Sequence, residues 1–295
     1  MSFGERLRVA FESYGHLCVG LDPHPYLLDS WGLTDDASGL RAFSQLVLEA
    51  SVGRAGIVKP QVAFFERHGS AGYGVLEEVL AEARASGLLV IADAKRGDVG
   101  TSVEAYGEAW LSPGSSLEAD AMTVAAFQGF DSLRAVVDRA EAADKGVFVL
   151  AATSNPESRE PQTARIVHGP RSGLTVGAGI VAQVAEWNQR GASAASNPEQ
   201  GERIIGSVGV VLGATAEFET LGIDVDGVGA GPVATPVLAP GFGHQGAGFE
   251  NIRTLYRRSA DVTIMAVSRS ILSHGPAHLT DAIARHQESV SGGLR

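Results

Sequence analysis

Eight short apolar runs, separated by stretches of helical periodicity, constrain the fold of this chain more than any other feature. The runs are LCVGLD (17–22), IVK (57–59), LLVIADAK (88–95), AMTV (121–124), VFVLAAT (147–153), VGVVLGAT (208–215), PVLAP (236–240) and VTIMAVS (262–268). They are almost continuously apolar, as parallel strands buried on both faces must be. Between them, Phe43, Leu46, Val47 and Ala50 fall at helical spacing, as do Val75, Leu76, Val79, Leu80 and Ala83. The second set stops just before Gly87, where a glycine following a helix end is expected. Most runs end about 27 to 37 residues apart, the length of one βα unit.

Eight such units predict an α/β fold, a (β/α)8 TIM barrel forming a single domain over residues 1–295, with the active site at the C-terminal ends of the strands. A doubly wound open sheet is the alternative. The step from 153 to 213 is about twice the usual length and holds SNPESREPQTARIVHGPRSG. Its Ser, Pro, Gly and charge content predicts a loop excursion at about 155–179, close to the site, before a helix at about 180–190 resumes the pattern.

Composition narrows the partners. With 295 residues, 44% of them hydrophobic, the chain can bury a large core unaided. A net charge of −11 argues against nucleic-acid binding, which needs a basic face, but permits a small anion held by locally concentrated positive charge. The single cysteine, Cys18, excludes an intramolecular disulfide and a cysteine-based zinc cage. The start MSFGERLRVAFESYG lacks the apolar segment of a secretory signal, and no apolar run approaches a membrane span. The expected location is the cytoplasm, with no membrane contact.

Polar residues at the predicted strand ends carry the functional signal. Asp22, Lys59, Asp93, Lys95 and Arg269 stand at or just beyond strand ends, with Ser154 after the fifth run and Gln245 after the seventh. Asp93 and Lys95 are two apart and share a strand face, with Asp98 three residues further. Charges beside an apolar barrel interior are costly unless paired, so this alternating cluster of ammoniums and carboxylates is a site candidate. A lysine flanked by carboxylates is expected as a cation and proton donor, suited to a reaction that builds negative charge on carbon. APGFGHQG (239–246) and Ser268-Arg269-Ser270 follow the last two strands, where barrels often grip phosphate. The G-x-G-x-x-G at 241, 243 and 246 lies too near the C-terminus to open a dinucleotide-binding unit. His274 and His278 enclose Pro276 and read as surface residues, and Trp31, Trp110 and Trp187 as packing residues.

ADAKRGDVGTS resembles the Asp-x-Lys-x-x-Asp signature of the orotidine 5′-monophosphate decarboxylases. CVGLDPHP, VKPQVAFFE, ATSNP, APGFGHQGAG and AVSRSIL are similar, in order, to segments of that family's longer bacterial subgroup, from about residue 15 to about 272. The resemblance implies conversion of orotidine 5′-monophosphate to uridine 5′-monophosphate and CO2 in pyrimidine biosynthesis, with no metal or organic cofactor. It implies that Lys95 is the proton donor, that Asp93 faces the substrate carboxyl group, and that Asp98 enters a neighbouring site across a homodimer interface. It further implies substrate contacts from Asp22 and Lys59 to ribose, Ser102 beside Asp98, Ser154 to the pyrimidine, and Gln245, Ser268 and Arg269 to phosphate. The family's usual Asp-Ile-Pro-Asn-Thr reads Asp98-Val99-Gly100-Thr101-Ser102 here, which leaves Thr101 or Ser102 as the contact. Residues 125–129 receive no role.

Two other activities compete. A 3-keto-gulonate 6-phosphate decarboxylase type of barrel shares the Asp-x-Lys-x-x-Asp pattern but uses magnesium and an acid where Lys59 stands. A non-catalytic nucleotide-sensing barrel would have no need of the intact Asp93, Lys95 and Asp98 set.

Overall fold

The computed structural model describes residues 1–195 and 204–295. Eight parallel strands close into a barrel: β1 (Leu17–Leu21), β2 (Ile57–Pro60), β3 (Leu89–Arg96), β4 (Ala121–Val124), β5 (Gly146–Ala152), β6 (Val208–Leu212), β7 (Val237–Pro240) and β8 (Thr263–Val267). Each pairs with its neighbours in sequence, and β8 returns to β1 with Val19 opposite Val267. Every predicted strand is present, and closure rules out the open-sheet alternative. One further pair, Ile204–Ile205 with Val233–Ala234, lies outside the barrel.

Strand alternation divides the core into two layers. Leu17, Val19, Val90, Ala92, Val147 and Val149 face the surrounding helices, whereas Cys18, Ile57, Ile91, Ala121, Phe148 and Ile264 fill the barrel. The helix Phe3–Tyr14 closes the floor, where Phe3 meets Phe148 edge to face with ring centroids 5.9 Å apart. Gly146 permits that approach, because a Cβ there would lie 2.6 Å from the Phe3 ring. Ser2 and Glu5 form a reciprocal cap that starts this helix. Also at the floor, Asp120 accepts from Arg6 Nη1, from Lys145 Nζ at 3.4 Å and from the Val90 amide at 2.9 Å.

The excursion after β5 is partly helical, with a 3-10 turn Pro156–Ser158 and a short helix Arg159–Thr163. Gln162 ties it to the strand end, accepting from Thr153 N at 3.0 Å and donating to Thr153 Oγ1 at 2.9 Å. The next helix spans Val176–Ala195, longer than the predicted 180–190, because Thr175 Oγ1 caps its start by accepting from the Ala178 amide at 3.0 Å. Gly87 follows the helix Gly69–Ala85 with φ +80°, as its position predicts. No helix among the described residues is long and apolar enough to cross a membrane.

Candidate active site

The interior face of the strands turns polar at the C-terminal mouth. Beyond Ile57 comes Lys59 and beyond Ile91 comes Asp93, both less than 10% exposed, with Thr123 at 1%. Two buried charges would be expensive alone, and their arrangement removes most of that cost. Asp93 Oδ2 accepts from Lys59 Nζ at 2.9 Å and from Gln61 Nε2 at 3.0 Å. Asp93 Oδ1 accepts from Lys95 Nζ at 2.7 Å and from Thr123 Oγ1 at 2.8 Å. Four donors thus occupy the roughly four acceptor positions of one carboxylate. Burial alone would raise the Asp93 pKa, but Lys59 and Lys95 outweigh it and hold the carboxyl well below its ordinary range. Burial would likewise strip Lys59 of its proton, yet Asp93 and then Asp22 reverse the balance and raise its pKa.

Lys95 is half exposed and stands at φ +49°, in the left-handed region. For a non-glycine residue that conformation costs about 1–2 kcal/mol. It coincides with an irregularity in the β3–β4 ladder between Ala92 and Arg96. The Lys95 amide donates to Thr123 Oγ1 at 3.0 Å, and the ammonium still reaches Asp93. Within one chain, therefore, a carboxylate sits between two ammoniums, where the sequence suggested a lysine between carboxylates. The chain contains three lysines, and the third, Lys145, pairs with Glu118 at 2.8 Å on the barrel floor. Lys95 alone of the three is open to solvent. Cys18 lies beneath the site, its thiol pushed up to about 12 by burial, which makes it an inert packing group.

Lys59 also lines a small cleft of about 80 Å³ with Asp22, Gly241, His244, Ser268 and Arg269. Several of its polar atoms are unused: Asp22 Oδ1 and Ser268 Oγ are buried without a hydrogen-bond partner, as is Ser270 Oγ beside the cleft. Buried polar atoms are normally satisfied, so orphans converging on a cleft indicate a ligand rich in hydroxyl and anionic oxygen. Arg269 opens the short helix Arg269–Leu272 and has no ion-pair partner among the described residues. The β7 loop approaches closely because Gly241 and Gly243 adopt φ +111° and +70°, and a Cβ on Gly243 would lie 2.6 Å from Ser270 Oγ. Gly20 is required for a similar reason, since a Cβ there would sit 2.6 Å from Ser268 Cβ.

Of the residues singled out from sequence, Lys59, Asp93 and Lys95 form one hydrogen-bonded cluster, and Asp22, Lys59, Ser268 and Arg269 share the adjoining cleft. Lys59 belongs to both. Asp98 does not join them within the chain; its Oδ1 accepts from the Val99 amide at 2.8 Å. Thr101 and Ser102 are exposed on the first turn of the helix Gly100–Leu111. Ser154 lines a separate cleft of about 190 Å³ between the β5 and β6 loops, with Thr153, Gln162 and Thr215. Gln245 lies in the 3-10 turn Gly243–Gln245, and its side chain falls outside the described set. His274 and His278 are exposed, while Trp110 and Trp187 are buried and Trp31 stacks on Phe43. Sequence reasoning missed Gln61 and Thr123. Thr123 lies on β4 and Gln61 just beyond β2, two residues after Lys59, and that register is the one signal the sequence offers, too weak to mark a neutral side chain by itself.

The sequence profile of the orotidine 5′-phosphate decarboxylase / HUMPS family matches residues 15–278. A Streptomyces coelicolor protein named orotidine 5′-phosphate decarboxylase is 44% identical over 93% of this chain and 91% of its own length. One of the same name from Corynebacterium glutamicum is 41% identical over 99% of both chains. A crystal structure from Streptomyces avermitilis, described as a candidate orotidine 5′-phosphate decarboxylase, superposes with a TM-score of 0.87 at 41% identity, covering 99% of this chain and 96% of that one.

Proposed function

The chain belongs to the orotidine 5′-phosphate decarboxylase / HUMPS family, and from that premise we propose that it converts orotidine 5′-monophosphate to uridine 5′-monophosphate and CO2 with Lys95 as the proton donor. It is a carboxy-lyase of pyrimidine biosynthesis. One observation carries the assignment of Lys95: its ammonium is anchored on Asp93 at 2.7 Å while half exposed at the barrel mouth. An ammonium has three N–H donors. Asp93 takes one and Gln61 Oε1 a long contact at 3.5 Å, which leaves donor capacity for a substrate.

The phosphate is gripped by Arg269 together with the β7 loop and Gln245, and the ribose hydroxyls meet Asp22 and Lys59. The orphaned oxygens of Asp22 and Ser268 fit that assignment. Binding energy from the phosphate holds the pyrimidine C6 against Lys95. The bond from C6 to the carboxylate carbon breaks, its electron pair stays on C6, and CO2 departs. The adjacent ammonium stabilises that pair and then gives it a proton, becoming an amine that recovers a proton from solvent. Ser154 reads the pyrimidine from the β5 loop.

Asp98 acts in a homodimer, entering the partner's site together with Ser102 or Thr101. The exposed positions of Val99 and Phe127 on the loops that follow β3 and β4 support a covered surface there. The whole chain then works as one barrel domain in the cytoplasm, without a metal or organic cofactor. Lys59, buried and bonded to Asp93, occupies the place of the acid in the magnesium-dependent barrels.

The test is the spectrophotometric loss of orotidylate with and without EDTA. Equal consumption in both is expected. Binding of uridylate without consumption of orotidylate would contradict the reading, and loss of activity in EDTA would favour the magnesium-dependent class.

A further inference from the structure

Thr123 has no part in the steps above, and its place in the barrel gives it one. It lies in β4 opposite Phe148 of β5, points into the barrel mouth and is 1% exposed. The neighbouring ladder is irregular: β3 and β4 pair at Ala92 and Met122, lose register, and pair again at Arg96 and Val124. Lys95 sits in that gap with φ +49°. Its amide has lost a strand partner and donates instead to Thr123 Oγ1 at 3.0 Å. The same hydroxyl spends its proton on Asp93 Oδ1 at 2.8 Å, and Asp93 Oδ1 receives the Lys95 ammonium at 2.7 Å. A closed ring results, running from the Lys95 amide through Thr123 and Asp93 back to the Lys95 ammonium.

We propose that Thr123 is a positioning residue for the decarboxylation, its hydroxyl fixing both the Asp93 carboxylate and the left-handed backbone turn that aims Lys95. This rests on the reading of Lys95 and Asp93 given above. Only a side chain with one proton to give and a lone pair to receive can complete the ring. Valine has the same shape and can do neither, so it leaves the Lys95 amide unpaired and Asp93 Oδ1 short of a donor.

The test compares Thr123→Val and Thr123→Ser in the full-length protein by two measurements. Steady-state kinetics with orotidylate should show kcat falling about 10- to 100-fold in Thr123→Val, with KM within about threefold, because phosphate and ribose contacts are untouched. Thr123→Ser should recover most of the loss. Hydrogen exchange of 15N-lysine-labelled protein gives three backbone amide resonances, one per lysine. The Lys95 amide should exchange at least about tenfold faster in Thr123→Val and return towards the parent rate in Thr123→Ser. A Thr123→Val kcat within a factor of two of the parent, a serine variant no better than the valine one, or an unchanged Lys95 exchange rate would overturn the proposal. If Thr123→Val does not fold, Thr123→Ala, which likewise can neither donate nor accept, is judged by the same criteria. Should the parent itself not consume orotidylate, the functional reading fails, and the exchange measurement alone decides whether Thr123 holds Lys95.

Discussion

Four donors converge on the two oxygens of Asp93, and this explains how a barrel can carry a buried carboxylate beside two ammoniums. The arrangement has a measurable pH signature. Asp93 has a lowered pKa in the folded chain, so its contribution to stability is present above the ordinary carboxylate value of about 4 and is lost as pH falls below it. Lys59 has a raised pKa, so its contribution holds below about 10.4 and is lost only as pH rises through its higher folded value. Urea unfolding of the parent and of Asp93→Asn should therefore diverge below pH 4, the parent losing up to about 1.4 kcal/mol more per pH unit for one proton. Parallel acid limbs would show that Asp93 is not held as described. The charged members of the site were legible in sequence because a charge at the end of an apolar strand needs a reason. Gln61 and Thr123 were not, since neutral amides and hydroxyls stand at strand ends for many reasons. Their role depends on which oxygen of Asp93 each one reaches, and Lys95's left-handed turn is likewise invisible before folding.

All eight strands could be read from the chain, because burial on both faces leaves an apolar run that few other structures share. The segment between β5 and β6 was harder. Its Pro- and Ser-rich composition suggested a loop, and the short helix Arg159–Thr163 holds its place through Gln162, whose tie back to Thr153 follows no helical or strand period. The pair Ile204–Ile205 and Val233–Ala234 went unseen because two-residue strands carry no period. Tyr256 shows how an outer element secures the sheet. It is fully buried, and its hydroxyl donates to the Leu212 carbonyl at the end of β6 at 2.7 Å. Tyr256→Phe should cost about 1–2 kcal/mol in chemical unfolding, because it leaves that buried carbonyl unpaired, while orotidylate turnover at 25 °C stays near the parent value. A variant as stable as the parent would mean that the carbonyl finds another donor.

At the scale of the whole molecule, the barrel gathers residues from strands far apart in sequence: Asp22 from the end of β1, Lys59 from β2, Asp93 and Lys95 from β3, and Arg269 from the end of β8. Closure brings β8 beside β1, so the predicted phosphate loops adjoin the charged cluster through Lys59. The count of eight units made that closure legible. The position of Asp98 was not, because its proposed destination lies in a second chain. If Asp98 acts in trans, exchanging subunits between inactive Lys95→Ala and Asp98→Ala proteins creates hybrids with one intact site. At random exchange, activity should recover to about a quarter of the parent value, since half the dimers are hybrids with half their sites complete. No recovery after verified exchange would place Asp98 outside the reaction.

The Lys95 ammonium, anchored on Asp93 and open at the barrel mouth, is the group on which the proposed reaction depends. Turnover of orotidylate by Lys95→Ala, in protein that still binds uridylate, tests it most directly. The predicted result is a loss of at least about a thousandfold in kcat with product binding largely retained. Turnover within tenfold of the parent would contradict it.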